Sequence, residues 1–312
     1  MPAPIALFVY RRLDLVGPVL DALELCPEFS SSSVYIYSDG PRSEAAARDV
    51  EQVRAAIKAR QRPNVRLIES PQNRGLAASI IGGVSELCAK YGRVIVLEDD
   101  LIVSPHLLRW FNEALDAFAD EDAVMQISGH VFGSPVRGDL GFFAPITTSW
   151  GWATWDRAWK AFDPDATGWE ALSRDASLSR RFDFDGCYPF TKMMQKQREG
   201  KVDSWAIRWY WSVFRKNGIV AYPPRTLILN VGDDERATHR GLRNQVRAWL
   251  KAKTPVPELM CSPPILPAIA ELDPAASRGL QREIRASRSI LTAVLSRFAP
   301  RPPPSPSSRE AA

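Results

Sequence analysis

The sequence predicts an α/β protein in which helices flank a mostly parallel sheet. Two observations lead to this fold class. From the N-terminus to about residue 123, short apolar runs alternate with helix-like segments, and this alternation is typical of parallel sheets covered by helices. The runs are apolar nearly throughout, which indicates strands that are buried on both faces.

Four strand–helix pairs can be identified in order. The strands are "PIALFVY", "SSVYIYSDG", "NVRLIES" and "RVIVLEDD", and the helices are "LVGPVLDALELC", "SEAAARDVEQVRAAIKAR", "GLAASIIGGVSELCAKYG" and "SPHLLRWFNEALDAFAD". Ser43 is placed to cap the second helix and Gly92 to end the third. Ser104 is predicted to cap the fourth helix, with Pro105 at its first position.

The second half of the chain is less regular. A strand, "DAVMQISGHVFG", precedes the tryptophan-rich "TTSWGWATWDRAWKAFD", two helical segments and the final elements "IVAYPPRTLILNVG" and "DDERATHRG". The composition then changes, because prolines accumulate. We therefore predict one domain over residues 1–245, a linker and a basic amphipathic helix over 246–299, and a disordered Pro/Ser-rich tail over 300–312.

The predicted C-terminal helix is amphipathic. Its apolar residues follow one stripe, with arginines largely elsewhere: Leu280, Ile284, Leu291, Val294, Leu295 and Phe298. Such a helix could lie on an anionic membrane, or pack on its own domain or on a partner. The N-terminus lacks the basic region of a signal peptide, and no uncharged stretch approaches the ~20 residues of a membrane span. We therefore expect a cytoplasmic protein, peripheral at the inner face of the membrane if this helix binds lipid.

Composition excludes several classes of protein. The net charge is only +4, from 40 basic and 36 acidic residues, and no basic block is interleaved with aromatics as in many nucleic-acid-binding proteins. We therefore expect no nucleic-acid partner. The four cysteines are scattered, without a CxxC motif or a Cys/His cluster. This favours reduced, packed thiols over a zinc site or a disulfide framework.

Three consecutive carboxylates, Glu98, Asp99 and Asp100, end the fourth apolar run. They repel one another, and burying them without partners would cost several kcal/mol. Either water solvates them on a turn, or a cation binds them. Ligands of parallel α/β sheets bind beyond the carboxyl ends of the strands, where Asp39 is also expected, although Asp39–Gly40 could simply form a turn. Oxygen ligands suit Mg²⁺ or Mn²⁺.

The stretch "VIVLEDDLIVSPHLLRWFNEAL" resembles the acidic motif of GT-A glycosyltransferases, and in particular the N-acetylglucosaminyltransferase I-like enzymes and a group of bacterial hemolysin-associated sugar transferases. The resemblance covers about residues 4 to 241. It rests on six further segments in the same order: "ALFVYRR", "YSDGPRSE", "NRGLAASI", "SWGWATWDRAW", "VDSWAIRW" and "NVGDDERATH". It implies a GT-A fold, here with a C-terminal helical and Pro-rich extension.

The resemblance also implies a site. Asp100 would hold Mn²⁺ (or Mg²⁺), with His239 as a second ligand, and the two preceding carboxylates would contact the ribose and sugar of the donor. Arg12 would lie near the uracil or the pyrophosphate of the donor, Arg74 near its phosphates and Asp39 at its base. One of two tryptophans beside Gly151 is predicted to face the sugar. The implied donor-binding residues are Arg12, Asp39, Arg74, Glu98, Asp99, Trp150, Gly151 and Trp152.

An inverting transferase needs a base to deprotonate the acceptor hydroxyl, and Asp203 is our first candidate. The chain departs from the related pattern at Ala206, where an Asp is frequent, so a helix-capping role for Asp203 is the alternative. Further candidates are Asp156, Asp233 and Asp234. Of the histidines other than His239, His106 is expected to be structural, whereas His130 could line the cleft.

The resemblance implies a metal-dependent hexosyl- or N-acetylhexosaminyltransferase. Its donor would be a nucleotide-diphosphate sugar, a UDP-sugar above all, and its acceptor a glycan or glycolipid hydroxyl in bacterial surface polysaccharide assembly. Two alternatives remain. A sugar-phosphate nucleotidyltransferase also uses an α/β sheet with acidic metal ligands, although "YRRLDLVGP" is a poor phosphate loop. A degenerate, non-catalytic nucleotide-sugar-binding protein is the other.

Overall fold

The computed structural model of the chain describes residues 1–60, 62–232 and 262–298, with side chains described as far as residue 287. The strands are β1 (Ile5–Val9), β2 (Val34–Ser38), β3 (Val65–Glu69), β4 (Arg93–Glu98), β5 (Leu101–Val103), β6 (Val124–Ser128), β7 (Phe142–Ala144), β8 (Trp152–Trp155), β9 (Ile219–Tyr222) and β10 (Ile228–Asn230). The helices are α1 (Leu13–Glu24), α2 (Glu44–Arg60), α3 (Leu76–Tyr91), α4 (Leu107–Ala117), α5 (Asp156–Trp159), α6 (Ala171–Arg174), α7 (Ala176–Phe182), α8 (Phe190–Arg198), α9 (Trp205–Arg215) and α10 (Pro274–Phe298), and a 3₁₀ turn spans Phe29–Ser31.

Among the described residues, eight strands form one mixed sheet in the order β3-β2-β1-β4-β8-β6-β9-β7. Strands β3, β2, β1 and β4 are parallel neighbours, as are β6 and β9. Strand β8 runs antiparallel between β4 and β6, and β7 is antiparallel to β9. Strands β5 and β10 form a small antiparallel pair. The predicted α/β class, with helices flanking a sheet of predominantly parallel pairs, is confirmed.

Helices cover both faces of the sheet, and β1 shows why its sequence is apolar throughout. Ile5, Leu7 and Val9 pack into the cluster that also contains residues of α1, α2 and α4. Ala6 and Phe8, which point to the other face, pack with residues of α3, α5 and α9. Because successive side chains of a strand point to opposite faces, a strand buried on both sides needs apolar residues at every position.

Of two predicted helix ends, the structure confirms one and contradicts the other. Gly92 ends α3 in the left-handed conformation with φ 75°, as predicted. The fourth helix starts later than predicted, because α4 begins at Leu107 and His106 occupies its N-cap position. Ser104 instead supports the preceding turn, where its hydroxyl accepts a hydrogen bond of 3.2 Å from the backbone N–H of His106.

Helix α10 packs on the domain that precedes it. The carboxylate of Asp273 accepts hydrogen bonds from the backbone N–H groups of Ala275 and Ala276 at its start. Leu280 and Ile284, 0% and 4% exposed, belong to the same apolar cluster as residues of β7 and β9. The first two residues of the predicted apolar stripe therefore face the protein, and they are not available to insert into lipid.

The rest of that stripe, from Leu291 onward, lies outside the described side chains, so membrane contact there stays a prediction. Within the described part of the chain, no helix has the length and apolar character needed to cross a membrane. Cys26, Cys88 and Cys187 are buried free thiols, as predicted, and Cys261 lies outside the described residues. Burial raises the pKa of Cys26 to about 11 and that of Cys88 to about 12.

Two glycines with positive φ differ in the space around them, which separates backbone strain from packing. Gly92 has open space where a side chain would begin. At Gly151, with φ 60°, a methyl group would lie 2.0 Å from Ile228 Cδ1 and 3.1 Å from Leu97 Cδ2. We expect G92A to lower the free energy of unfolding by roughly 1–2 kcal/mol through strain alone. G151A should cost about 1–3 kcal/mol more because the core is overpacked.

Urea unfolding of both variants, with tryptophan fluorescence as the signal, measures the difference. Equal losses of stability would contradict the close approach of Gly151 to Ile228.

Candidate functional site

The topology brings several polar chain segments to one edge of the sheet. Strands β1, β2, β4 and β6 run parallel, so their carboxyl ends share an edge, and β8 starts at this edge because it runs the opposite way. Each of these strand ends carries polar or aromatic residues of interest. They are Tyr10–Arg12 after β1, Asp39 after β2, Glu98–Asp100 at and after β4, His130 after β6 and Trp150 before β8.

The acidic turn links β4 to β5. Its three residues are partly buried, and Asp99 Oδ2 accepts a hydrogen bond of 3.0 Å from the backbone N–H of Tyr10. Burial, followed by repulsion from Asp100 and Asp99, raises the pKa of Glu98 to about 8. Burial also raises the pKa of Asp99 to about 7, against the opposing effect of the Tyr10 hydrogen bond. The structure thus holds these carboxylates where their charge is costly.

The segment after β10 closes over Asp100. Pairing of β5 with β10 sets Leu101 opposite Asn230, and the backbone N–H of Val231 donates to Asp100 O at 2.8 Å. At Gly232, a methyl group would lie 2.0 Å from Asp100 Oδ2, so a residue with a side chain would not fit there. Arg12 Nη1 donates to Gly232 O at 2.9 Å, which ties the end of β1 to this segment.

The other residues predicted in this loop, Asp233, Asp234 and the metal ligand His239, lie outside the described residues. Among the residues that are described, no group of three or more His, Cys, Asp or Glu side chains is arranged to hold a metal ion. Mg²⁺ and Mn²⁺ bound with a nucleotide need only one or two protein carboxylates, since phosphate oxygens and water complete the shell. Glu98, Asp99 and Asp100 could supply one or two such carboxylates to a cation that is also bound by a diphosphate.

Asp39 organises the loop before α3. Its Oδ1 accepts from the backbone N–H groups of Gly40 (2.9 Å) and Arg74 (2.8 Å), and its Oδ2 accepts from Asn73 Nδ2 (3.0 Å) and the Gly75 N–H (2.9 Å). A carboxylate has about four lone-pair positions, so these four donors occupy them. A direct contact with a nucleobase, as predicted for Asp39, would have to displace one of the four.

Arg74 is exposed at the same edge. Its Nη2 lies 3.2 Å from the point where a Cβ of Gly82 would be, so the guanidinium extends along the first turns of α3. The absence of a side chain at Gly82 makes room for it. The predicted contact of Arg74 with the donor phosphates stays a prediction.

The two tryptophans beside Gly151 have different environments. Trp152 is 0% exposed, and its ring stacks on Trp205 with centroids 5.2 Å apart. A side chain with no exposed surface cannot contact a donor, so the prediction of Trp152 as a donor-binding residue is wrong. Trp150 is only half-buried, and its ring centroid lies 4.5 Å from that of His130.

Trp150 lines a cavity of about 230 Å³. Val96 of β4 pairs with Trp152 at the start of β8, and Trp150, two residues before Trp152, lies at the edge where β4 ends. The cavity and the acidic turn therefore lie at the same edge. The lining residues are His130, Phe132, Ile146, Thr147, Thr148, Ser149, Trp150, Tyr188, Phe190, Met193, Trp205, Ala206, Ile207, Trp209, Tyr210 and Ile284.

His130 lines the cavity and carries an imidazole, which can act as an acid or a base. From the sequence, its only predicted role is to line the cleft. It is 9% exposed, and Nδ1 lies 3.0 Å from Thr226 Oγ1. The Thr226 hydroxyl also donates to Ile228 O at 2.8 Å, so these contacts tie the imidazole to the segment that contains β10. In the sequence, His130 can be recognised as a candidate site residue because it follows a predicted strand, as Asp39 does.

Asp203, our first candidate for the base, does not line the cavity. Its side chain is 69% exposed and pairs with Arg208 Nη2 at 2.7 Å. The alternative capping role is wrong, because Ser204 caps α9 and accepts the Ile207 N–H at 3.4 Å. Asp156 starts α5 after the end of β8, at the edge of the sheet opposite to the acidic turn. Asp156 is therefore not placed to act as the base.

No protein-family model matches the chain, and no curated protein matches it. Solved structures do. GalNAc-T7 with UDP, GalNAc and Mn²⁺ matches at 8% identity and TM-score 0.46, over 79% of this chain and 47% of that one. The galactosyltransferase LgtC, in complex with donor and acceptor sugar analogues, matches at 14% and 0.36, over 70% and 72%. A 4-diphosphocytidyl-2C-methyl-D-erythritol synthase from Anaerococcus prevotii matches at 9% and 0.39, over 81% and 99%.

GT-A glycosyltransferases, which the sequence resembles, are thus among the matching structures. This chain spans about half the length of the GalNAc-T7 structure. At these identities and TM-scores, the similarity assigns neither a family nor an activity to the chain.

The raised pKa values of Glu98 and Asp99 predict a pH dependence for the metal-free protein. Their carboxyl groups bind a proton more tightly in the folded protein than in the unfolded chain, where the pKa is about 4. Their contribution to stability is therefore complete below pH 4 and is lost as the pH rises through about 7 and 8. We expect the melting temperature in EDTA to fall between pH 5 and pH 8.

Substitution of both residues, E98Q with D99N, should reduce that fall by about 3 °C or more. The matched control is D122N, because Asp122 is exposed at the opposite edge of the sheet. If the double variant and the control show the same pH dependence, ionisation of Glu98 and Asp99 is not the cause of the fall in melting temperature.

Proposed function

We propose that the chain is a metal-dependent glycosyltransferase. It would move a hexose or N-acetylhexosamine from a nucleotide-diphosphate sugar, a UDP-sugar above all, to a hydroxyl of a glycan or glycolipid, with inversion, in bacterial surface polysaccharide assembly. The observation that carries this proposal is the acidic turn at the carboxyl edge of the sheet. It lies beside Arg12 and the Gly232 segment, at the same edge of the sheet as the aromatic cavity.

The leaving group explains why acidic residues and a cation would be needed together. A nucleoside diphosphate gains negative charge as the glycosidic bond breaks, and a bound Mn²⁺ or Mg²⁺ would offset that charge. Asp100 is the proposed protein ligand, with His239 as the second. Arg12, already held at Gly232 O, would add a positive charge near the diphosphate.

The remaining residues have proposed roles in positioning the donor. Glu98 and Asp99 would accept hydrogen bonds from hydroxyl groups of the sugar and the ribose, and the charge of Asp99 would be held in place by Tyr10 N–H. Asp39 would position the α3 loop, and through it Arg74, at the phosphates or the base. On the acceptor side, the ring of Trp150 offers a flat apolar face that suits a pyranose.

The nucleotidyltransferase alternative is less well supported. The segment between β1 and α1 is only Tyr10–Arg12 and contains no glycine, while Gly17 already lies within α1. A phosphate loop needs glycines so that backbone N–H groups can approach the phosphates. A non-catalytic sugar-binding protein would need the same donor contacts, so only turnover separates it from the transferase.

The proposal predicts that D100A abolishes Mn²⁺-dependent binding of UDP while leaving the fold intact. Wild-type protein should gain about 3 °C or more in melting temperature with UDP and Mn²⁺ together, and much less with UDP and EDTA, because the cation links Asp100 to the diphosphate. D122A, at the opposite edge of the sheet, should behave as wild type. Circular dichroism checks that both variants fold.

The same protein incubated with a panel of nucleotide sugars and Mn²⁺ separates the three functions. Slow hydrolysis or transfer of sugar supports the transferase. Release of pyrophosphate from a nucleoside triphosphate and a sugar phosphate would indicate the nucleotidyltransferase, and binding without any turnover would indicate the non-catalytic protein. A Mn²⁺-dependent gain in melting temperature with UDP that persists in D100A would refute the role of Asp100.

For the catalytic base, the sequence favours Asp203 and the geometry favours His130. Asp203 is exposed, pairs with Arg208 and does not line the cavity, whereas His130 lines the cavity with Nδ1 3.0 Å from Thr226 Oγ1. We therefore expect H130Q to lower kcat by ~10²-fold or more, with donor binding kept. D203N should stay within about threefold of wild type.

Both variants are assayed with the same donor, acceptor and metal, and the melting temperature of each is measured to detect unfolding. A large loss in D203N with an active H130Q would return the role of base to Asp203.

A further inference from the structure

The cavity beside Trp150 is lined mostly by carbon. Its walls include the aromatic rings of Phe132, Tyr188 and Phe190 and the aliphatic side chains of Met193 and Ile284. We propose that it binds an apolar group, an aryl ring or a short alkyl chain, that is attached to the acceptor sugar. This inference rests on the proposed function and specifies its acceptor as an amphiphile rather than a free oligosaccharide.

Three polar side chains of the lining, those of Trp209, Thr148 and Tyr210, already have hydrogen-bond partners within the protein. Trp209 Nε1 donates to Gln126 Oε1 at 2.7 Å, and the hydroxyl of Thr148 is hydrogen-bonded to Ser128. The hydroxyl of Tyr210 donates to a backbone carbonyl, Phe182 O, at 2.9 Å. A sugar ring that entered fully would give up hydrogen bonds to water and find few replacements, which is unfavourable. An apolar group loses no hydrogen bonds there.

The size of the cavity suits such a group. An apolar cavity of roughly 150 Å³ in another protein holds a benzene molecule, and this one has about 230 Å³. One ring with a short substituent, or a chain of about six carbons, would fit inside it. Trp150 lines the cavity and lies at the edge of the sheet where β4 ends, so an apolar group in the cavity would lie at the same edge as the proposed donor site.

Helix α10 forms one wall of the cavity and is hydrogen-bonded to the segment that leads into another wall. Ile284 lines the cavity, while Gln281 Nε2 donates to Asp185 Oδ2 at 2.9 Å and Arg285 Nη2 donates to Asp185 O at 3.2 Å. Asp185 precedes Tyr188 and Phe190 in the chain, so these contacts join α10 to the segment that carries the two aromatic rings. Ile284 is therefore the residue that we assign to setting the size of the apolar group.

Leu280 provides a matched control on the same helix. It is fully buried in the same apolar cluster as Ile284, but it does not line the cavity. Loss of its side chain should lower stability through packing and leave the cavity's selectivity unchanged. On the opposite wall, Ala206 at the start of α9 lines the cavity and is only half-buried, so a larger residue there reduces its volume without disturbing α10.

The test is binding of hexyl β-D-glucopyranoside and methyl β-D-glucopyranoside, which carry the same sugar and differ only in the apolar chain. Titrations are followed by calorimetry at hexyl glucoside concentrations below micelle formation. We expect wild-type protein to bind the hexyl glucoside at least 10-fold more tightly, because apolar surface is removed from water. I284F and A206L should each reduce this preference to less than threefold, and L280A should keep it.

Three results would overturn the inference. One is equal binding of the two glucosides by wild-type protein. The second is a preference that persists in A206L and in every folded Ile284 variant, and the third is loss of the preference in L280A. The assay contains neither nucleotide nor metal, so its failure is distinct from failure of the Mn²⁺-dependent UDP binding that tests the proposed function.

Discussion

The antiparallel placement of β8 between β4 and β6 is the constraint on which the candidate site depends. Parallel strands alone would bring only strand ends to the carboxyl edge. Because β8 runs the other way, the segment that leads into it, with Trp150, joins the ends of β4 and β6 at that edge. The positive φ of Gly151 and its close approach to Ile228 and Leu97 fit this segment tightly against the core.

Electrostatic cost is concentrated at the acidic turn. Three adjacent carboxylates are held at the end of a buried strand, with a backbone N–H from β1's end as one compensating contact and Arg12 nearby. Structures keep such costs at sites where a ligand relieves them, and a perturbed pKa in a cleft is a recognised sign of function. Because Gly232 has no side chain, the segment after β10 can lie within van der Waals distance of Asp100 and pack against the acidic turn.

The sequence predicts the first half of the fold well because its signals are local. Apolar runs, helix patterns and terminal residues such as Gly92 depend on neighbours in the chain, and each of the four strand–helix pairs is present. The order of β6 to β9 in the sheet is not predictable in this way, because it depends on contacts between distant segments. The early start predicted for the fourth helix is wrong for a similar reason, since Ser104 supports the turn before it.

The candidate site is predicted only in part. The acidic turn is apparent from charge alone, and Asp39 from its place after a strand. Trp152 was misassigned because residue type does not separate a tryptophan in the core from one in a site, and the burial of Trp152 comes in part from Trp205 and Trp209, which are distant in the chain. Tyr188, Phe190 and Ile284 could not be found, because nothing local relates them to residues near position 150.

The origin of the cavity walls has a consequence for how this protein can diverge. The carboxylates are carried by strands in the first third of the chain, whereas Ile284 and the Tyr188–Phe190 segment belong to later helical regions joined through Asp185. Changes in the later regions leave the acidic turn untouched. Replacement of α10 by another helix would therefore reshape the cavity and leave the carboxylates in place, so the two parts of the candidate site can change independently.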